Sequence, residues 1–332
     1  MVFLNVKKLN VEYYTKNNSV HAVQDISFQL DQRDTIGIVG ESGSGKSTLA
    51  MAILQLIPKN TGKVTGKIEM KSKRLLDLTP SEIREVRWVD IAAVFQKSMN
   101  ALSPVHRVGN QLSDIYRLHE KNIPHKMLKQ RIFQLLDMVN LPSHVYKAYP
   151  HELSGGMMQR VSIALGLMHN PKLLILDEAT TALDVVTQTQ ILKELMELEE
   201  KMGLTRIMIT HDLSIVASSC KKVAVMYSGQ IVESGFVKDV LYNPLHPYTK
   251  SLIKSVPSLK GENRKITAIK GSIPDLSKPI EGCVFAARCP YAKEVCFQSA
   301  PENSELENNR AVKCHFVKGG EFVWEEGKQT IV

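Results

Sequence analysis

Short apolar stretches that each end at a glycine or a polar residue recur along the chain. Residues 35–39, 91–95, 172–176 and 206–210 have the aliphatic and β-branched character of buried strands. Longer stretches lie between them, and in residues 128–139 apolar side chains recur at three- and four-residue spacing, which is typical of an amphipathic helix. Residues 67–70 predict a further short strand, and residues 222–227 and 230–233 predict a hairpin. We therefore predict an α/β fold.

The remaining segments differ from this central pattern. The first 35 residues or so place apolar groups near alternate positions and predict antiparallel strands, whereas residues of about 97–165 are helical in character. Beyond residue 245, prolines and glycines interrupt any long element. The predicted division is a main domain over residues 1–245, with a helical subdomain at about 97–165, and a small loop-rich extension over residues 246–332.

Composition limits the classes of protein that fit. The hydrophobic content of 43% and the charged content of 23% are typical of a chain with a sizeable core, and no apolar run approaches the ~18 residues of a membrane span. The amino terminus lacks the order of a secretory signal, so we expect the chain to stay in the cytoplasm. The net charge of +8 is dispersed. This favours a mildly basic surface over a nucleic-acid partner, with attraction to acidic lipid as the alternative.

A glycine-rich motif follows the first predicted buried strand. It fits the phosphate-binding pattern G-x-x-x-x-G-K-(S/T) and leads into a predicted helix over residues 48–57. Its glycines let backbone N–H groups face phosphate oxygens, Lys46 adds a cation, and the Ser47 hydroxyl is a ligand for Mg²⁺. The predicted nucleotide contacts are Gly40, Glu41, Ser42, Gly43, Ser44, Gly45, Lys46, Ser47 and Thr48. Tyr13 (or Tyr14) either stacks on adenine or packs locally at the edge of its strand.

Polar side chains come directly after three other predicted strands, as Gln96, Asp177-Glu178 and His211. Ligands of α/β proteins bind at the carboxyl ends of the strands, so we expect these side chains to face the nucleotide. Asp177 is predicted to hold Mg²⁺, directly or through water, and Glu178 to orient or deprotonate the attacking water. The residues alone leave two readings for Gln96 and His211: ordinary surface residues, or polar groups aimed at the ligand, with His211 donating a hydrogen bond to the γ-phosphate.

A second glycine sequence, Ser154-Gly155-Gly156, precedes a predicted helix that runs to about Met168. The N terminus of a helix attracts anions through its N–H groups and its dipole. Taken alone, the sequence indicates either an anion site or an ordinary helix capped by serine.

The order of these motifs resembles that of the ATP-binding subunits of ABC transporters, over residues of about 1–245. The resemblance implies a RecA-like P-loop NTPase core with an N-terminal antiparallel β subdomain and an inserted helical subdomain. It identifies residues 153–159 with the signature motif, residues 181–184 with the D-loop, Gln96 with the Q-loop and His211 with the switch histidine. These correspondences imply that Gln96 holds Mg²⁺ and its waters together with Ser47 and Asp177, and that His211 senses the γ-phosphate.

The resemblance also implies that part of the chain acts on a neighbouring subunit. Ser154 and Gly156 would close over ATP bound to that second subunit, and the signature and D-loop contacts carried over are Ser154, Gly155, Gly156, Gln159 and Asp184. The chain departs from the commonest pattern at Met157, where Gln is usual, and at Ala179, where Pro is usual. The contact made by Met157 is left open, and no group needed for the chemistry is missing.

Four of the five cysteines lie in the extension, with the spacing C-x5-C-x6-C-x17-C; they are Cys283, Cys289, Cys296 and Cys314. In a cytosolic protein such clustering favours a metal site over disulfides. The residues alone leave open an iron–sulfur cluster, zinc or unliganded thiols. The sequence His246-Pro247-Tyr248 and this tail resemble the oligopeptide/dipeptide importer branch, whose members include some with a 4Fe–4S cluster, and the resemblance implies such a cluster here.

Together these features predict a transport ATPase. The resemblance implies ATP hydrolysis that powers import of dipeptides or oligopeptides, with nickel, glutathione or oligosaccharide uptake, or a non-transport iron–sulfur ATPase, as alternatives. The implied partners are a second ABC ATPase subunit (identical or a paralogue), two membrane permease subunits and, indirectly, an extracytoplasmic binding protein. The implied location is the cytoplasmic face of the membrane.

Two other classes of ABC ATPase fit the sequence less well. The single phosphate loop argues against the ABC ATPases of translation, and the lack of a heptad run argues against those of DNA repair.

Overall fold

The computed structural model describes residues 2–16, 18–95, 102–179, 183–255, 269–318 and 320–323. The strands are β1 (Val2–Tyr14), β2 (Ser19–Asp31), β3 (Thr35–Val39), β4 (Gly62–Met70), β5 (Lys73–Arg74), β6 (Ile91–Phe95), β7 (Leu173–Asp177), β8 (Thr205–Thr210), β9 (Lys222–Tyr227), β10 (Gln230–Phe236), β11 (Asn303–Leu306), β12 (Arg310–Lys313), β13 (Val317–Lys318) and β14 (Glu321–Phe322). The α-helices are α1 (Lys46–Ile53), α2 (Pro80–Val86), α3 (Val108–Tyr116), α4 (His125–Met138), α5 (Gly155–Gly166), α6 (Val185–Met202), α7 (Leu213–Ser219), α8 (Val237–Tyr242), α9 (Pro247–Lys254) and α10 (Glu294–Gln298).

The first of two compact units comprises the described residues within Met1–Leu4, Leu30–Thr35 and Met70–Ile209. Its parallel strands β6, β7 and β8 lie side by side in that order. Every side chain of β7 and β8 is buried, which is the pattern of parallel strands covered on both faces. Helices α3, α4 and α5 belong to this unit and confirm the helical character predicted for this part of the chain.

Local capping sets the helix limits in this unit. Helix α6 begins after Asp184, whose side chain accepts a hydrogen bond from a first-turn N–H, and it ends at Gly203, which has a left-handed φ of 65°. Helix α2 begins after Thr79, which forms a reciprocal capping box with Glu82. Each N-cap joins residues three positions apart in the chain, so the local sequence sets where each helix begins.

The second unit comprises the described residues within Asn5–Gln29, Ile36–Glu69 and Thr210–Val332. Its largest sheet has the order β3-β9-β10-β12-β11, in which β3 is parallel to β9 and the later pairs are antiparallel. A second sheet places β1 between β2 and β4. The hairpin β9–β10 confirms its prediction.

The core of the second unit includes side chains from the extension. Val39, the last residue of β3, and its partner Val225 on β9 belong to the same buried cluster as Tyr227, Tyr248 and Phe285. Tyr248 and Phe285 are 0% and 1% exposed. The extension therefore packs on the strand that leads into the phosphate-binding motif. The predicted domain boundary ahead of the extension stays a prediction.

Three element limits differ from expectation. Helix α1 ends at Ile53 because Leu54 is its C-cap and Gln55 has a left-handed φ of 50°. Strand β4 begins at Gly62, five residues before the predicted strand, because its first half is largely exposed and lacks a hydrophobic signal. Strand β7 extends through Asp177. In the part of the chain that the structure describes, every helix is too short or too polar to cross a membrane.

Candidate functional site

The glycine-rich motif forms a loop between β3 and α1. Gly45 is the N-cap of α1 and has a φ of 96°, a left-handed conformation that glycine adopts without strain. A Cβ atom at Gly45 would lie 2.1 Å from the carbonyl oxygen of Ala22, and one at Gly40 would lie 2.0 Å from that of Met226. Both positions therefore require glycine for close approach of the backbone.

Lys46 lies against this loop. Its side chain amine donates hydrogen bonds to the carbonyl oxygens of Gly40 at 2.8 Å and Glu41 at 2.9 Å. Lys46 is 6% exposed and Ser44 is fully buried, whereas Ser42 and Ser47 are exposed. The loop thus holds a cation inside its curve and presents hydroxyl groups at its rim, an arrangement suited to phosphate and to a metal ion.

The predicted acids lie at the carboxyl end of β7. In the register of the first unit, Asp177 is opposite Phe95 of β6 and Ile209 of β8. Asp177 is 4% exposed. Glu178 follows with a left-handed φ of 49°, and its N–H donates to the carbonyl oxygen of Ile209 at 2.9 Å. A non-glycine residue in this conformation is strained, so the neighbouring strand fixes the backbone of Glu178 at the sheet edge.

Gln96 and His211 are the other residues predicted at strand ends. Gln96 lies outside the described residues. His211 follows Thr210, the last residue of β8, and it is exposed at the start of the second unit's last segment. In the same unit, Tyr13 on β1 is half-buried, and its ring lies 3.2 Å from the position that a Cβ atom would take at Gly62. Tyr13 is thus packed against the backbone of β4.

The structure brings the signature sequence and the D-loop end together in the first unit. Ser154 is the N-cap of α5, and its hydroxyl accepts a hydrogen bond from the N–H of Met157. A Cβ atom at Gly156 would lie 2.9 Å from a methyl group of Thr187, and one at Gly155 would lie 3.5 Å from Leu183. The absence of side chains at these glycines lets the N terminus of α5 approach the start of α6.

Asp184 is held as the cap of α6. Its carboxylate accepts hydrogen bonds from the N–H and the hydroxyl of Thr187 at 2.9 and 2.8 Å, and these bonds lower the pKa of Asp184. Thr181 and Ala182 lie outside the described residues. Gln159 is 1% exposed, and its side-chain nitrogen makes no hydrogen bond within the described residues. The side chain of Gln159 is thus buried within its own unit. Its predicted contact with a nucleotide on another subunit stays a prediction.

The four cysteines of the extension interact electrostatically. Burial, together with the negative charge of neighbouring cysteines, raises the pKa of Cys289 to about 12 and that of Cys314 to about 11. The N–H of Cys283 donates to the carbonyl oxygen of Cys296 at 2.7 Å. Within the described residues, no group of three or more His, Cys, Asp or Glu side chains is arranged to hold a metal ion. The structure therefore does not bear out the predicted metal-binding extension.

Comparison with known proteins assigns the family. An ABC transporter family model matches residues 23–181, and a model of the oligopeptide/dipeptide transporter C-terminal region matches residues 232–296. The chain is 44% identical to the oligopeptide transport ATP-binding protein OppD of Escherichia coli over 94% of this chain and 92% of that one. The chain belongs to the ABC transporter ATP-binding proteins of the oligopeptide/dipeptide type.

Two further similarities support this assignment. The dipeptide transport ATP-binding protein DppD of Bacillus subtilis is 43% identical, over 94% of this chain and 93% of that one. A solved ATP-binding cassette, a dimer in a post-hydrolysis state bound to ADP and Pi, superposes with a TM-score of 0.63 at 26% identity, over 70% of this chain and 98% of that one. The chain is thus an ABC-type ATPase with a mixed sheet and flanking helices.

Sequence reasoning missed two residues of this ABC ATPase that contact the phosphate-binding loop. The hydroxyl of Tyr248 accepts a hydrogen bond from the N–H of Glu41 at 3.0 Å. The guanidinium of Arg288 forms an ion pair with the Glu41 carboxylate at 2.9 Å. Tyr248 was visible in the His-Pro-Tyr sequence, but that sequence by itself says nothing about which loop it touches. Arg288 carried no signal beyond its place beside Cys289.

Proposed function

We propose that this ABC ATPase hydrolyses ATP to power the import of peptides through a membrane permease. The observation that carries the proposal is the phosphate-binding loop, with Lys46 held at its carbonyl groups, in a chain whose C-terminal region matches the oligopeptide/dipeptide type. The relatives that are similar over nearly the full chain are oligopeptide and dipeptide transport ATP-binding proteins, which supports peptides as the cargo.

The proposed chemistry is in-line attack of water on the γ-phosphate of ATP. Lys46 neutralises charge that develops on the β- and γ-phosphates, and the N–H groups of the loop bind their oxygens. Glu178 polarises the attacking water, and His211 donates a hydrogen bond to the γ-phosphate. The ring of Tyr13 stacks on adenine.

A magnesium ion is expected with the nucleotide. The residues that would hold it are Ser47, Asp177 and Gln96, a set of oxygen donors of the kind that Mg²⁺ prefers. The exposure of the Ser47 hydroxyl and the position of Asp177 at the end of β7 support this choice. When bound, the ion supplies positive charge to the phosphate oxygens.

The proposal assigns a second ATPase subunit, identical or a paralogue, to complete the nucleotide site. Ser154, Gly155 and Gly156, at the N terminus of the twelve-residue helix α5, contact the γ-phosphate of ATP on that partner, where the helix dipole favours negative charge. Gln159 and Asp184 are included in the same proposed nucleotide contact. ATP thereby holds the two subunits closed, and hydrolysis lets them open.

Opening and closing of the ATPase pair would drive two permease subunits in the membrane. The chain is then a peripheral protein of the cytoplasmic membrane face, and an extracytoplasmic binding protein delivers the peptide. The transported molecule contacts the binding protein and the permease, not this chain. Its identity is therefore tested by reconstitution with those partners.

The decisive experiment is ATPase activity in proteoliposomes that contain this chain, its permease and its binding protein. Peptide is expected to stimulate ATP hydrolysis and to accumulate inside, whereas nickel, glutathione and oligosaccharides do neither. Glu178→Gln is expected to bind ATP, to abolish turnover and to trap a closed dimer. Undiminished turnover in Glu178→Gln would refute the role of that carboxylate, and stimulation by one of the other cargoes would refute peptide import.

We further propose that Cys283, Cys289, Cys296 and Cys314 hold a 4Fe–4S cluster, with zinc as the alternative. The charge interactions among the four thiols support their proximity. The cluster would act as a structural staple.

The cluster is tested by anaerobic purification, metal analysis and visible absorption. We expect about four irons per chain and the broad visible band of an iron–sulfur cluster. Cys289→Ser should lose both, while Cys220→Ser, which alters the cysteine outside the extension, should lose neither. A chain that contains zinc or no metal after this treatment would contradict the cluster.

A further inference from the structure

We infer that Arg288 and Tyr248 are positioning residues for nucleotide binding, because they hold Glu41 of the phosphate-binding loop, and that Arg288 cancels the negative charge of Glu41. The inference rests on the proposed function, in which this loop binds ATP. Both residues lie in the extension, more than 200 positions along the chain from Glu41. They act through the loop.

Three groups of Glu41 are fixed. Its N–H donates to the Tyr248 hydroxyl at 3.0 Å, its carbonyl oxygen accepts from the amine of Lys46 at 2.9 Å, and its Oε2 accepts from Nη1 of Arg288 at 2.9 Å. The other carboxylate oxygen, Oε1, is buried and makes no hydrogen bond within the described residues. Among those residues, the charge of Glu41 is therefore compensated mainly by Arg288.

Arg288 is itself held in one orientation. Its side chain is 5% exposed. Besides Glu41, Nη1 donates to the hydroxyl of Tyr227 at 3.1 Å, Nε donates to the carbonyl oxygen of Lys270 at 2.9 Å, and Nη2 donates to that of Ile269 at 3.2 Å. A planar guanidinium fixed at all three nitrogens presents its charge to Glu41 without further ordering. Its position is set by the extension.

Tyr248 is equally constrained. It is fully buried, and its ring lies 4.6 Å from that of Tyr227 and 5.4 Å from that of Phe285. Burial raises the pKa of Tyr248 well above its ordinary value, so the hydroxyl stays neutral. The ring is therefore a rigid support that presents one oxygen to the N–H of Glu41.

The charge of Glu41 makes these contacts relevant to nucleotide binding. An ATP molecule at this loop carries several negative charges, and the loop itself contributes a carboxylate. An uncompensated carboxylate in the loop would repel the phosphates, while the ion pair with Arg288 leaves the pair near neutral. The Glu41 side chain is 27% exposed, so salt will screen part of the effect.

The test is equilibrium binding of a fluorescent ATP analogue, with Mg²⁺, to the full-length chain. Arg288→Gln is expected to weaken binding about tenfold, because the charge of Glu41 is then no longer compensated and repels the phosphates. The loss should be smaller at high salt, which screens this repulsion. The double variant Arg288→Gln with Glu41→Gln should return the Kd to within about threefold of wild type. Arg288→Lys, which keeps the positive charge, should lose less affinity for the analogue than Arg288→Gln does. Arg74→Gln, which removes an exposed ion-paired arginine outside the extension, controls for the loss of one positive charge and should leave the Kd unchanged.

Tyr248→Phe provides a second, milder variant. It keeps the buried ring and removes the oxygen, so binding should weaken about three- to tenfold, and Glu41→Gln should not rescue it. Circular dichroism and thermal unfolding check that each variant is folded. Wild-type affinity in both Arg288→Gln and Tyr248→Phe would overturn the inference, as would a double variant no better than Arg288→Gln. Failure of the wild-type chain itself to bind the analogue would instead refute the proposed function.

Discussion

A single buried carboxylate, that of Glu233, anchors the extension to β10, and its removal gives a sharp prediction. Glu233 is fully buried. Its Oε1 accepts from the N–H of Leu245 at 3.0 Å and from Arg310 at 2.6 Å, and its Oε2 accepts from the N–H of His246 at 3.0 Å. These two N–H groups immediately precede α9. The perturbation is Glu233→Gln, which keeps the shape of the side chain and removes its charge.

The magnitude follows from counting donors and acceptors. Glutamine has one acceptor oxygen, so its NH₂ group must face a backbone N–H of Leu245 or His246, and a buried donor left unsatisfied costs about 1–3 kcal/mol. Arg310, whose side chain is 11% exposed, loses its ionised partner. Breaking a buried pair costs about 3–5 kcal/mol, and we take about 2 kcal/mol because Arg310 keeps its bond to the carbonyl of Asn243. The total is about 3–5 kcal/mol.

Hydrogen–deuterium exchange read by mass spectrometry measures this loss locally. Since 1.4 kcal/mol is a factor of ten, peptides from α9 and β12 should exchange at least about a hundredfold faster in Glu233→Gln. Glu305→Gln is the matched control, because it makes the same change at an exposed position on the neighbouring strand β11. Its exchange should be that of wild type.

Two outcomes would refute the reasoning. If α9 and β12 exchanged less than about fivefold faster in Glu233→Gln, the anchor would be worth less than ~1 kcal/mol and the accounting of donors would be wrong. If Glu305→Gln produced the same change as Glu233→Gln, the effect would come from net charge and not from the buried contacts.

Three further predictions concern other parts of the chain. Gly45→Ala should weaken binding of a fluorescent ATP analogue at least about tenfold, since alanine is strained at a φ of 96° and its Cβ would lie 2.1 Å from the Ala22 carbonyl oxygen; wild-type affinity would contradict this. Burial lowers the pKa of His246 to about 3 from 6.5. The neutral ring therefore contributes fully to the free energy of unfolding above about pH 6.5, and this contribution is lost as pH falls toward 3, by about 2 kcal/mol between pH 7 and 5. Limited proteolysis of the extension should show this dependence, and His246→Asn should flatten it. Asp184→Ala removes the cap bonds to Thr187 and should lower the free energy of unfolding by about 1 kcal/mol in a urea titration; an unchanged midpoint would contradict the cap.

The local elements of this ABC ATPase were predictable because their signals are local. The phosphate-binding loop needs glycine at Gly40 and Gly45 for its backbone, so the motif is present in any sequence that forms it. Helix α6 is bounded by Asp184 and Gly203, which are readable as a cap and a stop. Strand β4 was underpredicted because an exposed strand of polar residues has no hydrophobic pattern.

The signature sequence shows where such reasoning stops. Ser154 was predictable as a helix cap, and the structure places it there. Gln159, one turn later, was predicted to reach a nucleotide, yet it is 1% exposed. A helix position tells which residues share a face, but it does not tell which face the rest of the chain will cover.

The sequence by itself determined the chemistry that this protein carries: a phosphate-binding loop, two acids after a buried strand and a cysteine-rich tail. Only the tertiary structure decided that Tyr248 and Arg288 hold Glu41, a residue that lies 207 and 247 positions away. The physical reason is that a motif is a property of neighbouring residues. An ion pair and a hydrogen bond across such distances exist only after the buried core around Tyr227 and Phe285 has brought the two segments together.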